Sequence, residues 1–519
     1  MLAWIGPERG DTALAVDWIK RVAGLTKGFG DDVFRDYENG EERRKVETLE
    51  NLTQADSEKL GVPFDNGAAW TAFSAFYDRS WFERIWVVQE VLPAREAWLI
   101  CGSHSIEWHH VKAAAAWYRY KCGSICEKYD STRTIDGIGH ACAMNLAWRS
   151  RAGSEFLAPL FGQVVRPTYR WAFEELLSTF RRRLAGDPRD KVFALLGIST
   201  LEYKLNSPLL RPDYEKSTLE VFRDTTRGFI EAESAYSGAL NILLGAVPHS
   251  NESGWPSWVP DWRITDTSDV GGPLPDSERV AGFKNTHEYV VPEPGEEHEL
   301  HVEGHIIGKV VHRSEHHHIG GLLMDLREER DLCRRVYEER FSTTLYGPTN
   351  ADGDDIDTAW AMSLQGGRLH HGFEEKGTTP QQFGEILVDM VDVMKMPRSR
   401  PEEEKTRQTK VMPYMEKYGL DPYWLEYTRQ RYCERRWFIT DTGFIGLGNH
   451  HLEEGDVITV LWGLDIACVL RPVEQDEAIG KAMRYNFVGE AYCHGAKEAV
   501  EQLSSNNEER AVGAKMILV

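Results

Sequence analysis

The spacing of apolar residues changes once along the chain, near residue 436, and this change limits the folds that the chain can adopt. Before it, apolar residues recur mainly at three- and four-residue steps, with a few short strand-like runs between them. After it, short runs rich in Val, Ile and Phe are separated by turns that contain Gly443 and Gly455. The first pattern is typical of helices and the second of β-hairpins. We therefore predict α/β and helical regions followed by a small antiparallel β module.

The N-terminal region is predicted to combine strands with helices. Apolar runs at 2–5 and 97–101 indicate buried strands, and helical spacing at 12–23 and 107–120 indicates helices beside them. This alternation is typical of an α/β module.

A further helix is predicted between Ser80 and Pro93. The string Ser80-Trp81-Phe82-Glu83 has the form of a capping box, and Pro93 would end the helix. Trp86 and Glu90 lie on a different face from its apolar stripe. The residues of that stripe are Trp81, Ile85, Val88 and Leu92.

Two more helix starts are marked in the middle of the chain. In the loop at 186–190, Asp187 suits an N-cap and Pro188 the first helical position, and Gly197 suits the helix end. Ser217 and Glu220 form a second capping box, which predicts a helix to about residue 232.

These patterns divide the chain into four segments. We predict an α/β domain at 1–125, a helical region at 126–263, linkers and helices with a short β segment near 299–313 at 264–435, and the β module at 436–500. Three stretches rich in Gly, Pro or charge are predicted to be surface loops: 264–297, 346–380 and 397–410.

The acidic balance of the chain argues against partners that carry many negative charges. Its formal net charge is −22, and such a surface repels nucleic acid and anionic membranes.

The best apolar run, at 457–470, is interrupted by Asp465 and falls short of the roughly 20 residues of a membrane helix. No secretory signal is visible at the start, and eight scattered cysteines indicate reduced thiols. We predict a cytoplasmic protein that binds neither nucleic acid nor membrane.

Common catalytic and metal-binding motifs are absent from the sequence. It contains no phosphate-binding loop, dinucleotide fingerprint, nucleophile elbow or zincin motif. One group of metal-ligating residue types is close together in the chain but lacks the spacing of a zinc finger: Cys122, Cys126, His140 and Cys142. We therefore predict neither a metal nor a resident cofactor.

Four strings occur in an order that is typical of one family. They are 84–91 (RIWVVQEV), 187–198 (DPRDKVFALLGI), 212–214 (PDY) and 258–262 (WVPDW). Shorter strings near the C-terminal end, such as 443–448 (GFIGLG) and 489–495 (GEAYCHG), fit the same family. Together they resemble fungal heterokaryon-incompatibility (HET) domain proteins.

The resemblance has a gap at its N-terminal end. HET domains usually carry two strings ahead of the strand that residues 2–6 (LAWIG) resemble, and the chain has neither. We therefore expect a HET domain without its N-terminal part, from either a late-starting gene model or a shortened paralogue.

HET domains are thought to be distant relatives of TIR domains, which are flavodoxin-like α/β modules. Some TIR domains cleave NAD through a glutamate, and residues 86–90 (WVVQE) are similar to the Trp-x-x-x-Glu helix of plant TIR domains. The resemblance thus implies an incomplete TIR-like fold in which Glu90 is the catalytic acid. It also implies that Trp86, Arg84 and Gln89 bind the ligand, with NAD as a substrate.

The family resemblance also implies the biological role. We expect an effector of self/non-self recognition and programmed cell death that binds other HET-domain or incompatibility proteins, or itself. The alternative is a catalytically inactive protein that acts by binding other HET-domain proteins.

Each candidate residue also has a purely structural explanation. Glu90 can be a surface glutamate paired with Arg95 or another nearby cation, and Asp187 with its neighbours can be a helix start rather than a ligand site. Tryptophans at helical spacing are more often core residues than base-stacking residues.

Overall fold

The computed structural model forms two compact units, Met1–Val221 with Trp262–Thr265, and Phe222–Asp261 with Asp266–Val519. The residues that the structure describes are 1–25, 66–121, 136–144, 173–199, 208–233, 238–246, 254–264, 298–315, 326–342, 345, 355–365, 367, 373, 376–394, 409, 413, 417–418, 435–464, 466–473, 483–496 and 514–519. Cys122 and Cys126 therefore lie outside the described residues, whereas His140 and Cys142 are buried on a helix at 136–144.

The first unit contains a three-stranded sheet in the order β1-β2-β3. Its strands are β1 (Leu2–Trp4), β2 (Trp98–Cys101) and β3 (His104–Glu107). β1 runs parallel to β2, and β2 runs antiparallel to β3. The strands predicted at 2–5 and 97–101 are confirmed. The third strand was not predicted, because its four residues are largely polar and give no apolar run.

Helices connect these strands and follow them. They are α1 (Thr12–Leu25), α2 (Gly67–Tyr77), α3 (Val87–Val91), α4 (Trp108–Lys121), α5 (Phe173–Thr179) and α6 (Asp190–Leu196). A short 3-10 helix, Pro208–Leu210, comes after α6. Aromatic rings pack α1 and α2 against α4: the Trp70 ring lies 5.5 Å from the rings of both Trp18 and Tyr118. Burial of such large rings makes this contact a main source of stability in the unit.

The helix predicted to begin at Ser80 is wrong over its first half. Residues 80–86 form turns, and helix α3 begins only at Val87 and has no side-chain cap. The reason is a tertiary pairing: the Ile85 N–H donates to Leu184 O at 2.9 Å, and the Leu184 N–H donates to Glu83 O at 2.6 Å. These bonds engage backbone groups that an α-helix would use internally. The predicted end before Pro93 is confirmed.

The helix starts predicted in the middle of the chain agree better with the structure. Asp187 accepts the Arg189 N–H at 3.0 Å in the turn that leads into α6, and Gly197 ends the helix. Ser217 and Glu220 exchange the two hydrogen bonds of a capping box at the start of α7 (Thr218–Glu233). The capping box at Ser217 is confirmed. Asp187 instead caps the turn ahead of α6, because the helix begins at Asp190 with Arg189 as its N-cap and has no side-chain cap.

The second unit is built on a seven-stranded sheet. Its strands are β4 (Leu300–Arg313), β5 (Arg435–Thr440), β6 (Ile445–Asn449), β7 (Val457–Leu461), β8 (Ala467–Pro472), β9 (Met483–Cys493) and β10 (Ala514–Leu518). The order is β10-β4-β5-β6-β9-β8-β7, and β4 also pairs with β7, which closes the sheet on itself. All pairs are antiparallel except β10 with β9. The predicted β module is thus larger than expected, because β4 and β10 lie outside 436–500.

Three helices pack on this sheet: α8 (Leu326–Arg340), α9 (Ile356–Leu364) and α10 (Pro380–Met394). A 3-10 helix at Asn241–Gly245 also belongs to the unit. Trp360 of α9 and Phe383 of α10 share a buried core with Trp437 of β5. The surface loop predicted at 346–380 is therefore wrong for α9, where the apolar run 359–362 outweighs its acidic surroundings.

Two ion pairs fix strands within the second unit. Arg435 of β5 donates to the Glu490 carboxylate of β9, and both side chains are almost completely buried. Arg471 of β8 donates to Asp456, just before β7, at 2.8 Å. Glu490 belongs to the family string 489–495, and its pairing with Arg435 gives it a structural role. In the part of the chain that the structure describes, no helix is both long enough and apolar enough to span a membrane.

Gly102 follows β2 at a place where only glycine fits. Its φ is +58°, and an added Cβ would lie 2.3 Å from Glu8 Cβ. Glu8 in turn accepts the Ser103 hydroxyl at 2.7 Å and contacts His104 Nε2 at 3.2 Å. The loop after β1 is thereby attached to the β2–β3 turn.

We predict that Gly102→Ala lowers the free energy of unfolding by at least about 1–2 kcal/mol, since the left-handed conformation alone costs this much in a residue with a Cβ. The steric overlap with Glu8 adds to this cost. Urea unfolding followed by circular dichroism measures the change. Gly10→Ala is the matched control, because an added Cβ at Gly10 would meet no atom within 4 Å. Equal midpoints for the two variants would contradict the prediction.

Candidate functional site

The residues predicted to form a site lie on and just before the five-residue helix α3. Glu90 and Arg84 are exposed, whereas Trp86 and Gln89 are half-buried. Among the described residues, no ion pair is found for the Glu90 carboxylate, so the alternative pairing with Arg95 is not observed. Gln89 lies close to Gly197, where an added Cβ would be 3.6 Å from its Oε1.

Trp86 is joined to two residues that are distant in sequence. Its indole N–H donates to Asp190 Oδ2 at 2.9 Å. The other oxygen of this carboxylate, Oδ1, accepts the hydroxyl of Tyr214 at 2.6 Å. We call these three side chains, together with Asp187 and Arg189, the Trp86–Asp190 network. It brings together the family strings 84–91, 187–198 and 212–214.

Arg189 connects the two ends of the network. Its guanidinium forms a bidentate ion pair with Asp187, with distances of 2.9 and 2.6 Å, and donates to the backbone oxygens of Tyr214 and Lys216. The guanidinium also lies over the Tyr214 ring, 5.2 Å from its centre. Such planar donors suit simultaneous binding of a carboxylate and two carbonyls. Arg189 thus holds the segment at 214–216 against the start of α6.

The network contains no obvious nucleophile or general base. The hydrogen bond to Asp190 raises the pKa of Tyr214 to about 12, so its hydroxyl remains protonated at neutral pH. The hydrogen bonds from Arg189 lower the pKa of Asp187 below its usual range, and this carboxylate is fully engaged in accepting them. The arrangement is therefore suited to holding three segments together and to presenting Tyr214, which is 52% exposed.

Two buried cations lie next to the network in the same unit. Arg183 donates to the carbonyl oxygens of Phe82, Arg84 and His140 at 2.9 to 3.1 Å. Lys191 donates to Arg181 O at 2.7 Å and to Arg183 O. Burial lowers the pKa of Arg183 to about 9, which still leaves it charged at neutral pH.

His140 lies beside these cations and is buried. Its burial, with the adjacent charge of Arg183, lowers its pKa to about 3. The imidazole is therefore neutral in the folded protein at neutral pH, and any proton added to it is repelled by Arg183.

Sequence reasoning missed several parts of this arrangement. Arg183 and Lys191 carry no motif of their own, and each directly follows other charged residues, so no local signal marks their burial. Tyr214 was part of a family string but was given no role. Trp81 and Trp108 are core residues, at 5% and 4% exposure, so the structural explanation of their spacing is confirmed.

We predict that the Trp86 and Asp190 side chains are energetically coupled. A hydrogen bond to a charged group contributes roughly 1.5–3 kcal/mol, and this one is only half-buried, so we expect a coupling of about 1–2 kcal/mol. A double-mutant cycle with Trp86→Phe and Asp190→Ala, read by urea unfolding, measures it. A coupling energy within error of zero would show that the contact contributes nothing.

We also predict a specific loss of stability in mild acid that depends on His140. Its folded pKa of about 3 lies below its unfolded value of 6.5, so below pH 6.5 the unfolded chain takes up a proton that the folded chain does not. This costs about 2 kcal/mol between pH 7 and pH 5. Urea unfolding at both pH values should show this loss for the parent chain and a smaller loss for His140→Gln. Equal losses would contradict the assignment.

Comparison with known proteins supports the family assignment that the sequence predicts. Residues 381–511 match the family model of the Het-6 beta-barrel domain, which covers strands β5 to β9. The chain is also similar to "Heterokaryon incompatibility protein 6, OR allele" of Neurospora crassa, at 25% identity over 476 residues. This alignment covers 82% of the chain and 65% of the relative. No solved structure gives a significant match.

The chain thus spans about two thirds of the length of this curated relative. The strings that first suggested the family fall in both compact units, and the match extends along most of the chain. The predicted resemblance is confirmed: the chain is similar to a heterokaryon incompatibility protein over most of its length and matches the model of the Het-6 beta-barrel domain.

Proposed function

We propose that this chain acts in fungal heterokaryon incompatibility, as a cytoplasmic effector of self/non-self recognition and programmed cell death. The similarity to a heterokaryon incompatibility protein of Neurospora crassa supports this role. The observation that carries it is the Trp86–Asp190 network, in which three family strings that are far apart in sequence share one set of hydrogen bonds. The three family strings therefore contact one another in the folded chain, in addition to matching the family in sequence.

The fold proposed for the first unit is a TIR-like α/β module. Its support is the parallel pairing of β1 with β2 and the helices α1, α2 and α3 between them in the chain. Parallel neighbours need a crossover connection of this kind, which is the building unit of doubly wound sheets.

The catalytic form of the proposal is cleavage of NAD through Glu90. The bond between ribose C1′ and the nicotinamide nitrogen breaks, and water supplies a hydroxyl to C1′ and a proton to solution. A carboxylate stabilises the oxocarbenium-like centre that forms on the way. In favour of this role, Glu90 follows Trp86 by one helical turn and forms no ion pair with a described residue.

The alternative is an incompatibility protein that acts by binding another HET-domain protein. Two observations favour it: the Trp86 indole is engaged by Asp190, and Glu90 is exposed to water. Electrostatic catalysis by a carboxylate is strongest where water is excluded. In this form Tyr214, Arg84 and Glu90 belong to the binding surface.

Expression in a fungal host and an assay on purified full chain separate these two forms. We expect the parent chain to arrest growth, and the catalytic form predicts nicotinamide release that is lost by at least about a hundredfold in Glu90→Gln, as for removal of a group that stabilises charge in the transition state. Glu96→Gln is the matched control, since Glu96 is also exposed and lies outside α3.

The possible outcomes distinguish the catalytic form from the binding form, and both from a failure of the proposed role. Full toxicity of a folded Glu90→Gln chain without nicotinamide release would exclude the catalytic form and favour binding of a HET partner. Absence of growth arrest in compatible and incompatible hosts alike would count against the proposed role itself.

A further inference from the structure

The junction between β3 and α4 brings together three side chains that ligate metals. Glu107 is the last residue of β3, and His109 and His110 lie in the first turn of α4. Between them, Trp108 is buried in the core at 4% exposure. Because Trp108 anchors the junction, the backbone on both sides of it is fixed, and the flanking side chains converge near the surface.

The geometry of the three side chains is close to that of a metal site. One ligand atom from each residue lies within 4.8 Å of the corresponding atoms of the other two. Glu107 Oε2 and His109 Nδ1 are 2.8 Å apart, and the centres of the two imidazole rings are 3.8 Å apart. Ligands that bind zinc at about 2.0–2.1 Å in a tetrahedron lie roughly 3.3 Å from one another. Binding of an ion would bring the ligand atoms, which now lie within 4.8 Å of one another, to this spacing.

We propose that Glu107, His109 and His110 form a binding site for a divalent transition-metal ion, with Zn²⁺ as the best fit. The site would supply two imidazole nitrogens and one carboxylate oxygen, and would leave the fourth position to water. Three protein ligands with an open position are typical of reactive zinc sites, whereas structural sites use four. This site is separate from the Trp86–Asp190 network and does not depend on the proposed function. It revises the expectation that the chain holds no metal.

The donor set decides which ion the site prefers. Imidazole suits Zn²⁺, Cu²⁺ and Ni²⁺, whereas Mg²⁺ and Ca²⁺ prefer sites made only of oxygen ligands. The N-terminus of α4 opposes a bound cation, and the charge of Glu107 offsets this effect. Both Glu107 and His109 are accessible, with 39% and 56% of their side chains exposed, so the ion can exchange with solution.

A simple surface ion pair is the competing explanation. The contact between His109 and Glu107 alone would account for two of the three side chains, and exposed pairs of this kind contribute little. An ion pair between His109 and Glu107 gives no reason for zinc to bind tightly, or for His110 to affect zinc binding. Zinc affinity and its dependence on all three residues therefore distinguish a metal site from an ion pair.

Isothermal titration of the purified full chain with Zn²⁺ tests the proposal, with Co²⁺ absorption as a second readout of nitrogen ligation. We expect one strong site per chain that is not blocked by excess Mg²⁺. His109→Ala, His110→Ala and Glu107→Gln should each weaken it by at least about tenfold, since even changes outside the ligand set cost this much. His104→Ala is the matched control, a nearby histidine that instead contacts Glu8.

Unchanged circular dichroism and urea midpoints must accompany the loss of zinc binding. If His110→Ala fails to fold, the more exposed His109 and Glu107 variants still decide the question. Equal zinc affinity in the parent, His109→Ala and Glu107→Gln chains would overturn the proposal, as would an equal loss in His104→Ala.

Discussion

The buried charges of Arg183 and Lys191 constrain the fold of the first unit, because each depends on several backbone carbonyl oxygens. Removing a cation from water is costly unless hydrogen bonds replace its hydration. Here the replacements are backbone carbonyl oxygens, which belong to Phe82, Arg84, His140, Arg181 and Arg183. The two cations therefore tie together the turns at 80–86, the helix at 136–144 and the segment that leads into α6. None of these segments can move without leaving a charge unsatisfied.

This constraint explains the geometry of the Trp86–Asp190 network. Lys191 is the residue after Asp190, so the carbonyls that hold Lys191 also hold the start of α6. Arg183 binds the carbonyl of Arg84, two residues before Trp86. The hydrogen bonds of Arg183 and Lys191 thus position the Trp86 indole N–H and the Asp190 carboxylate next to each other. The polar residues of the string 187–198 are accordingly explained by the fold. Asp187 caps a turn and pairs with Arg189, Asp190 accepts from Trp86 and Tyr214, and Lys191 donates to buried carbonyl oxygens.

The sequence predicts elements where the signal is local and fails where a distant contact decides. Strands β1 and β2 and the hairpin strands β5 to β8 follow from apolar spacing and turn glycines, and the capping box at Ser217 follows from the three-residue spacing of Ser217 and Glu220. The helix from Ser80 was wrong because Leu184, about a hundred residues away, takes its backbone bonds. Strand β10 was missed, since its place between β4 and β9 depends on pairing that no local pattern encodes. Arg183 could not be identified for the same reason, as its burial is set by three separate segments.

The same reasoning separates residues that the fold requires from residues that it does not. Trp86, Arg189 and Asp190 are each held by contacts within the first unit, so stability alone is enough to explain them. Arg84 contributes its carbonyl to the fold, and its side chain is exposed. The Glu90 side chain is likewise exposed, and nothing in the packing of α3 demands a carboxylate there. At a position where packing does not determine the residue type, the side chain can be selected for function instead. The Glu90 carboxylate and the Arg84 guanidinium are therefore the exposed groups that we propose for recognition or chemistry on this surface.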